Sequence, residues 1–524
     1  MCGPAGIVWF RGTIGRRFGE TTMQSKPAAI AERIASDPHT PHYHFIAPES
    51  SHWPFDPNGA IFWNDRYHLF YIFQDPDLPH AGHCWGHASS EDLLHWTYHP
   101  TALIPDEVQK GIFSGCALLD KSGRPVLVYH GVDAGTCIAT PEDDELIVWR
   151  KSPNNPVIPM PAEGDTGWGV YRVFDPHVWL QGDTYHAILG DMVKPYDIRD
   201  TVYLFTSKDL IHWAPARQFY NPNPHWTGED EDCACPDFFQ IGDRHMLLCI
   251  SHTRGARYYL GRYDNGTFIP EEHHRMNWPG GSCFAPESLL DDSGRRIMWA
   301  WVINQMRVRA DQGYAQIRRD GGVMTLPRVL SLDEVGQVRI EPPIELDTLR
   351  TNAREYHDLT IDLDQVVALD RISGDVMEVA VIATVPDGAV FELQVRVSPD
   401  TQELTRIVFD RAHSTLSIDN GASSLDSRVS HYYPIGRSDY PSDVPVQTAP
   451  FALHAGERLE LRVYLDASIM EVFANGRQCV TGRIYPTRAD STGVRLMARR
   501  AATTVHSVVA WDMASANSAS TESA

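Results

Sequence analysis

The stretch Ala60-Ile61-Phe62-Trp63-Asn64-Asp65-Arg66-Tyr67-His68-Leu69-Phe70-Tyr71-Ile72-Phe73 holds two runs of β-branched and aromatic residues on either side of a short polar turn. Such runs favour extended strands, and Asn and Asp between them are typical of a tight hairpin connection. We therefore predict a β-hairpin over residues 60–73, with its turn at residue 64.

The same hairpin pattern recurs at a nearly constant interval. Its turn markers lie at residues 64, 122, 182, 242 and 294, so successive markers are 58, 60, 60 and 52 residues apart. The segment Asp92-Leu93-Leu94-His95-Trp96 also returns 117 residues later as Asp209-Leu210-Ile211-His212-Trp213. Repeats of this length suit four short strands each, which predicts a five-bladed β-propeller. A large sandwich with regular hairpins is the alternative, and equal spacing argues against it.

The pattern changes beyond Pro342-Pro343. Residues 459–465 alternate apolar and polar side chains with period two, which is typical of a half-buried antiparallel strand. We predict an all-β protein with an N-terminal extension over residues 1–37, the propeller over 38–345 and a linker over 346–356. A β-sandwich is predicted over 357–513, and a disordered tail, rich in Ala and Ser, over 514–524.

Composition narrows the class of protein. The formal net charge is −23, which argues against binding to nucleic acid or to an anionic membrane, because both need a basic surface. The nine cysteines include no CxxC pair, so we expect reduced thiols and a cytoplasmic protein. His83 and His87 flank a strand-like stretch in which their spacing does not converge, so we expect no metal site. The oligomeric state stays open, and a homo-oligomer is compatible with the sequence.

Acidic residues recur where the innermost strand of each blade is expected to begin, seven or eight residues before the turn marker. Counting back from the five markers leads to Asp56, Ser114, Asp175, Ala234 and Glu287. Inner strands surround the propeller axis, so carboxyl groups from separate blades converge at one mouth. Cleavage of a glycosidic bond needs such a set, because one carboxylate attacks the anomeric carbon while another group protonates the leaving oxygen. A single Asp-Pro is more often a turn signal, but several acids in register predict a glycoside-cleaving enzyme.

Nine short segments are distinctive: Asp56-Pro57-Asn58-Gly59, Cys84-Trp85-Gly86-His87-Ala88, residues 92–96, Phe113-Ser114-Gly115, Asp175-Pro176, Cys235-Pro236-Asp237, Leu326-Pro327-Arg328, residues 466–473 and Arg483-Ile484-Tyr485-Pro486. Together they resemble the motifs of glycoside hydrolase family 32, the β-fructofuranosidases, over residues 42–513. The resemblance implies a retaining mechanism, no metal or cofactor, and a small carbohydrate substrate such as sucrose or a fructan.

The resemblance also implies roles for individual residues. Asp56 would be the nucleophile that forms a covalent fructosyl-enzyme, and Asp175 would stabilise the transition state. Gln74, Phe113 and Ser114 would contact the fructosyl unit.

Two departures from the family pattern affect the sugar contacts. Pro54 and Phe55 stand where the family has Met and Asn, so one hydrogen bond to the sugar is lost. Phe174 stands where the family has Arg. Arg172 lies two residues earlier, hence on the same face of the strand, and we predict that it contacts the sugar hydroxyls instead. The alternative is that Arg172 forms a surface ion pair.

The third departure affects the acid/base catalyst, because Ala234 stands where the family carries glutamate. We predict Glu231 as the replacement, presented by a β-bulge, with Asp232 and Glu229 as weaker candidates. Glu287 is an outside candidate, at a position where the family carries Gln. The alternative is that the acidic run over residues 229–232 is a solvated loop.

The function expected from these features is hydrolysis of terminal β-D-fructofuranosyl residues of sucrose or short fructans. A fructosyltransferase, a hydrolase of another furanoside such as an arabinofuranoside, and a non-catalytic sugar-binding propeller are the alternatives. The non-catalytic alternative is considered because Ala234 stands where the family carries its acid/base glutamate. Identification of the products would separate these hypotheses.

Overall fold

The computed structural model describes residues 26–49, 54–190, 200–221, 223–303, 307–310, 313–316, 322–429, 431 and 443–517. Residues 1–25 of the predicted extension and 518–524 of the predicted tail therefore lie outside the described residues. A helix, α1 (Lys26–Ser36), precedes the first strand, and its Ile30 packs against Ile46 and Val323. Within the described part of the chain, no helix is long and apolar enough to cross a membrane.

Five sheets follow one another along the chain, and each is built on four antiparallel strands in sequential order, with a short fifth strand added in blade two. Blade one contains β1 (Pro57–Trp63), β2 (Arg66–Phe73), β3 (Cys84–Ser90) and β4 (Trp96–Tyr98). Blade two contains β5 (Ile112–Leu119), β6 (Pro125–Gly131), β7 (Gly135–Pro141) and β8 (Trp149–Lys151), with a short β9 (Ile158–Pro159) paired to β7. Blade three contains β10 (Phe174–Gln181), β11 (Thr184–Gly190), β12 (Tyr203–Ser207) and β13 (Trp213–Gln218).

Blade four contains β14 (Ala234–Ile241), β15 (Arg244–Ser251), β16 (Gly255–Asp264) and β17 (Thr267–Arg275). Blade five begins with β18 (Phe284–Leu290) and β19 (Arg296–Trp301). A separate hairpin, β20 (Arg307–Ala310) and β21 (Gly313–Gln316), then precedes the last two strands of the blade, β22 (Arg328–Leu332) and β23 (Val338–Glu341).

The first strands of the five blades close into a ring. β1 contacts β5 and β18, β10 contacts β5 and β14, and β14 contacts β18. Each predicted turn marker falls in the connection between the first and second strand of its blade, as at residues 64–65 between β1 and β2. The predicted five-bladed propeller is therefore confirmed.

Every inner strand has an irregular beginning. The pairing register shifts between residues 58 and 61, 113 and 115, 174 and 176, 234 and 237, and 284 and 287. Three non-glycine residues at these shifts have left-handed backbones, Asp175 at φ +34°, Cys235 at +44° and Ala285 at +43°. Such β-bulges bend a strand and redirect its side chains, so the bulge is a common feature of all five blades rather than a local one at Glu231.

A two-layer sandwich follows the propeller, which confirms the second half of the fold prediction. One sheet holds, in spatial order, β24 (Arg350–Ile361), β35 (Thr503–Met513), β26 (Val376–Thr384), β31 (Leu459–Asp466), β32 (Ile469–Ala474) and β33 (Gln478–Arg483). The other holds β25 (Val366–Ser373), β34 (Gly493–Arg499), β27 (Val390–Val397), β28 (Leu404–Asp410), β29 (Thr415–Ala422) and β30 (Val446–Pro450). Alternate residues of β31, Leu459, Leu461, Val463 and Leu465, point into the core between the sheets.

Two buried carboxylates of the sandwich, Asp466 and Glu471, form hydrogen bonds with the propeller domain. Asp466 accepts hydrogen bonds from the backbone N–H groups of residues 42–44 and from Nδ1 of His44, at 2.6–2.9 Å. Glu471 accepts 2.6 Å hydrogen bonds from Nη2 of Arg328 and from the backbone of Leu326. Two of the distinctive segments, residues 326–328 and 466–473, therefore meet across the contact between the domains.

The domain boundaries differ from the predicted ones. Residues 346–356, the predicted linker, belong to a 3₁₀ helix (Ile344–Leu349) and to β24, which pairs with β35 from Arg350 onward. Residues 514–517 of the predicted tail also make tertiary contacts, because the backbone N–H of Asn517 donates to the carbonyl of His42 at 3.0 Å. The linker was predicted from a change in sequence pattern, which does not reveal that β24 pairs with a strand about 150 residues away.

Candidate active site

Asp56 immediately precedes β1, and both its backbone carbonyl and its carboxylate accept hydrogen bonds. Its backbone carbonyl accepts hydrogen bonds from the amide of Asn58 at 2.8 Å and from the backbone N–H of Ile72 at 3.1 Å. Its carboxylate oxygen Oδ2 accepts a 2.7 Å hydrogen bond from the hydroxyl of Ser114 in blade two. Asn58 also accepts from the backbone N–H of Gly115 at 2.9 Å, which joins the two blades next to the carboxylate. The position of Asp56 is therefore determined by two inner strands.

Asp175 lies on the bulge of β10, in blade three, and is almost completely buried. Its Oδ2 accepts hydrogen bonds from the backbone N–H of Cys235 at 3.1 Å and from the Cys235 thiol at 3.4 Å. Its Oδ1 has no hydrogen-bond partner among the residues that the structure describes. A buried carboxylate oxygen in this state is available to a hydroxyl group of a ligand.

Cys235 links the two carboxyl groups. Its Sγ lies 3.4 Å from Oδ2 of Asp175 and 3.9 Å from Oδ2 of Asp56. Burial, together with the charges of Asp175 and Asp56, raises the pKa of the Cys235 thiol well above its usual range. The group between the carboxyls is therefore a neutral thiol, and blades one, three and four meet at this point.

The two carboxyl groups titrate close to neutral pH. Burial raises the pKa of Asp56 to about 6, although the hydrogen bond from Ser114 and the charge of His252 oppose the shift. Burial also raises the pKa of Asp175 to about 7, with His252 lowering it and the Asp56 charge raising it. Such a coupled pair at a propeller mouth can supply an ionised nucleophile and a second carboxylate that stabilises positive charge.

Of the four predicted substrate contacts, Ser114 is the one with a described contact to this pair. Ser114 is the donor to Asp56, and Phe113 packs its ring against His130 and Phe174 with centroids 6.4 and 6.5 Å away. Gln74 is exposed immediately after β2, and Arg172 is half-buried two residues before β10. The roles of these four residues toward a substrate stay predictions.

The two aromatic substitutions have a structural explanation. Phe55 is completely buried, with its ring 5.1 Å from that of Tyr71 and 6.2 Å from that of Phe45. The ring of Phe174 packs edge-on against His130, with 4.8 Å between the centroids. Both side chains therefore form part of the apolar packing beneath the carboxyl pair.

The structure does not support Glu231 as the acid/base. The residue is 2% exposed, and its carboxylate is paired with Arg257 at 3.0 Å and with Arg275 at 2.7 Å. Burial alone would raise the pKa of Glu231, but the hydrogen bond from Arg275 and the charge of Arg257 outweigh it, and the pKa is lowered. A carboxylate between two guanidinium groups does not carry a proton at neutral pH. Sequence proximity suggested Glu231, whereas the two arginines come from β16 and β17, more than 25 residues away in the chain.

The other proposed acids are also engaged elsewhere or lie outside the cluster. Glu229 is exposed in a turn. Glu287 is buried, and burial together with the charge of Asp237 raises its pKa well above the usual range. It accepts a weak 3.4 Å hydrogen bond from the backbone of Ala60 rather than contacting Asp56. Asp232 is completely buried and accepts hydrogen bonds from His252, at 2.9 Å from the backbone and 2.5 Å from Nδ1.

His252 is the residue at this site that we did not predict. It immediately follows β15, and its charge influences both Asp56 and Asp175. The signal that could have found it is the hairpin register, because Ala234 pairs with Ile250 and continuing this register brings residue 232 opposite residue 252. Among the described residues, no group of three or more His, Cys, Asp or Glu side chains is arranged to hold a metal ion.

Comparison with known proteins gives a consistent result. Residues 44–342 match the model "Glycosyl hydrolases family 32 N-terminal domain", and residues 345–512 match "Glycosyl hydrolases family 32 C terminal". A fructan 6-exohydrolase of Beta vulgaris is 28% identical over 88% of this chain and 84% of its own length. A sucrose-6-phosphate hydrolase of Escherichia coli is 30% identical over 85% of this chain and 89% of its own.

The solved structures support the architecture. The crystal structure of fructan 1-exohydrolase IIa from Cichorium intybus superposes with a TM-score of 0.75 at 23% identity. The match covers 91% of this chain and 98% of that one. At this level of identity, the likeness establishes a shared propeller-and-sandwich fold.

Proposed function

The chain belongs to glycosyl hydrolase family 32, and we propose that it hydrolyses terminal β-D-fructofuranosyl residues of sucrose or fructans with retention of configuration. It is a β-fructofuranosidase-like glycosidase. Its relatives include a fructan 6-exohydrolase and a sucrose-6-phosphate hydrolase, which supports a fructosyl unit as the group that is released.

The observation that carries the proposal is the convergence of Asp56 and Asp175 on Cys235 from three different blades. Burial holds the pKa of Asp56 at about 6, so at neutral pH its carboxylate is mainly ionised and desolvated. In the proposed reaction this carboxylate attacks the anomeric carbon C2 and forms a covalent fructosyl-enzyme, which water then hydrolyses.

Asp175 is proposed to stabilise the transition state. Its unpaired Oδ1 is free to accept a hydrogen bond from a hydroxyl of the fructosyl ring. Its negative charge would also favour the positive charge that develops on the ring as the glycosidic bond breaks. Gln74, Phe113, Ser114 and Arg172 are proposed to form the remainder of the fructosyl-binding site.

The test is identification of the products by chromatography. The protein is incubated separately with sucrose, sucrose 6-phosphate, inulin, levan and an arabinofuranoside. We expect free fructose from at least one of the four fructosides. The Asp56→Asn variant is expected to lose activity by roughly 10⁴-fold, as is usual when a nucleophile is removed.

The alternatives give different results in the same assay. Longer or cyclised fructosides would indicate a fructosyltransferase, and arabinose would indicate another furanosidase. Sugar binding without any product would indicate a non-catalytic propeller. Asp243→Asn is the matched control, because Asp243 is exposed in the turn between β14 and β15, and it should retain full activity.

We also propose that the protein functions in the cytoplasm, in keeping with the eight described cysteines, which are all free and of which seven are buried. Fractionation of cells that produce the native protein, followed by immunodetection, tests this location. Recovery of the protein outside the cell would contradict it.

A further inference from the structure

The proposed reaction needs a proton donor, and the position that the family fills with a carboxyl group carries Ala234. Its side chain is completely buried and offers only a methyl group. An alkoxide is a poor leaving group, so breaking the glycosidic bond without a positioned acid would forfeit about 10²- to 10⁴-fold in rate. Because Glu231 is held by two arginines, the donor must be sought elsewhere around the carboxyl pair.

The pairing of β14 with β15 positions the imidazole of His252 near Ala234. Ala234 pairs with Ile250 in the antiparallel register, and two residues further on each chain lie Asp232 and His252. Asp232 holds the histidine at two points, since Oδ1 accepts from its backbone N–H at 2.9 Å and Oδ2 lies 2.5 Å from Nδ1. A carboxylate bound to Nδ1 fixes the orientation of the ring and leaves Nε2 as the outer nitrogen.

The outer nitrogen is free to meet a ligand. The described hydrogen bonds of His252 involve its backbone N–H and Nδ1 but not Nε2, and 26% of the side chain is exposed. The ring lies 6.4 Å, between centroids, from Phe174, the neighbour of Asp175. Its positive charge also lowers the pKa of both Asp56 and Asp175, which agrees with a position on the same side of the site.

We propose that His252, positioned by Asp232, is the acid/base catalyst of this site in place of a carboxylic acid. This inference rests on the proposed function. In the first step the Nε2–H proton moves to the glycosidic oxygen as the bond from that oxygen to C2 breaks, while the Asp56 carboxylate forms its bond to C2. In the second step neutral Nε2 takes a proton from water, the resulting hydroxide oxygen bonds to C2, and the Asp56 carboxylate leaves.

The protonation state of the histidine is compatible with this role. Burial lowers the pKa of His252, but the charge and hydrogen bond of Asp232 and the charges of Asp175 and Asp56 raise it to about 9. The titratable groups that face the ring are these three aspartates, with the thiol of Cys235 between the last two. Arg254, two residues further along the chain, has its guanidinium 3.3 Å from Asp230. At neutral pH the imidazole therefore carries the proton that the first step requires.

The decisive experiment compares two leaving groups in the variant His252→Gln. One substrate is the fructoside that the wild type hydrolyses best in the product assay, and the other is β-D-fructofuranosyl fluoride, whose fluoride ion leaves without an acid. We expect kcat/KM to fall about 10²- to 10⁴-fold for the glycoside and less than about tenfold for the first-turnover release of fluoride. Azide, which needs no base to attack, should restore steady turnover of the fluoride and yield fructosyl azide.

The control variants separate catalysis from folding. His212→Gln is the matched control, because Asp209 binds the backbone N–H and Nδ1 of His212 at 2.8 Å in the same way, on the exposed surface. It should retain wild-type kinetics for both substrates. Asp232→Asn should lower the pH at which activity falls on the alkaline side, because its charge no longer raises the pKa of His252.

The outcomes that overturn the inference are distinct from those that overturn the proposed function. Equal losses for the glycoside and the fluoride in His252→Gln, or no loss for either, would reject His252 as the acid while leaving the proposed function intact. A wild-type protein that cleaves neither fructosides nor the fluoride would reject both. Near-ultraviolet circular dichroism of each variant verifies that the fold is retained.

Discussion

The hydroxyl of Ser114, on the inner strand of blade two, donates a 2.7 Å hydrogen bond to Oδ2 of Asp56, which immediately precedes the inner strand of blade one. It is the closest polar contact of the proposed nucleophile, and it stabilises the ionised form of the carboxyl group. The contact connects two residues that are 58 positions apart in the chain. It exists because the inner strands of the two blades, β1 and β5, lie next to each other in the ring.

Removing this hydroxyl should make Asp56 harder to ionise. The Ser114→Ala variant loses a hydrogen bond to a charged group, which contributes about 1.5 kcal/mol, so the pKa of Asp56 should rise by about one unit. We expect the acidic limb of the kcat/KM profile to move to higher pH by this amount. Ser122→Ala is the matched control, because it removes a 2.6 Å hydrogen bond to Asp120 on the exposed surface. An acidic limb that stays in place would contradict the role of Ser114.

The pH dependence of the wild type should be bell-shaped around neutral to mildly alkaline pH. Burial raises the pKa of Asp56 to about 6 and of Asp175 to about 7, so activity should fall as pH decreases through this range and the pair gains a proton. His252 has a pKa of about 9, so activity should fall again as pH increases through that value and the donor proton is lost. The measurement is kcat/KM from pH 4 to 11 with stability verified at each pH. An alkaline limb near pH 6 would indicate a carboxylic acid donor instead.

Glu231 should affect stability more than chemistry. Glu231→Gln removes the negative charge that lies between Arg257 and Arg275 and leaves Asp200, 2.8 Å away, as the remaining counter-charge of the buried Arg257. An uncompensated buried charge costs about 3–5 kcal/mol, and the remaining ion pair with Asp200 should keep the loss below that value. We therefore expect a lower midpoint in urea unfolding and near-normal kcat for the folded fraction. Glu229→Gln, at an exposed position two residues earlier, should leave the midpoint unchanged. A fully stable variant whose kcat has fallen more than about 10²-fold would restore Glu231 as the acid.

A carboxylic acid introduced at residue 234 should replace the histidine only when space is made for it. Ala234 is completely buried beside the His252–Asp232 pair, so Ala234→Glu alone should crowd the site and gain nothing. In the double variant with His252→Ala, the carboxyl can occupy the vacated volume. We expect at least about a tenfold recovery over His252→Ala, within the range of a general acid, and an alkaline limb at lower pH than in the wild type. Failure to recover, together with a retained fold, would indicate that the two positions do not reach the same substrate oxygen.

The sequence allowed more of the fold to be predicted than of the site. The interval between the turns predicts five blades, and counting back from them places Asp56, Ser114 and Asp175 at the beginnings of inner strands. These are local properties, because each hairpin is specified by its own turn and by the alternation of its own strands. The linker was misplaced because the strand over residues 350–361 is defined by a partner at the other end of the sandwich.

The proposed proton donor, in contrast, could not be predicted from local sequence patterns. Read along the chain, Glu231 and Asp232 are neighbours with the same charge, and nothing in the local pattern distinguishes them from a solvated loop. In the folded protein the carboxylate of Glu231 forms ion pairs with Arg257 and Arg275, whereas that of Asp232 pairs with His252. The sequence by itself therefore determined the propeller, the sandwich and the place of Asp56 at the start of blade one, because these follow from periodic local patterns. Only the tertiary structure decided which acid pairs with arginine and which orients a histidine. Those pairings depend on how neighbouring strands are aligned in the sheet, because their residues are distant from each other in the chain.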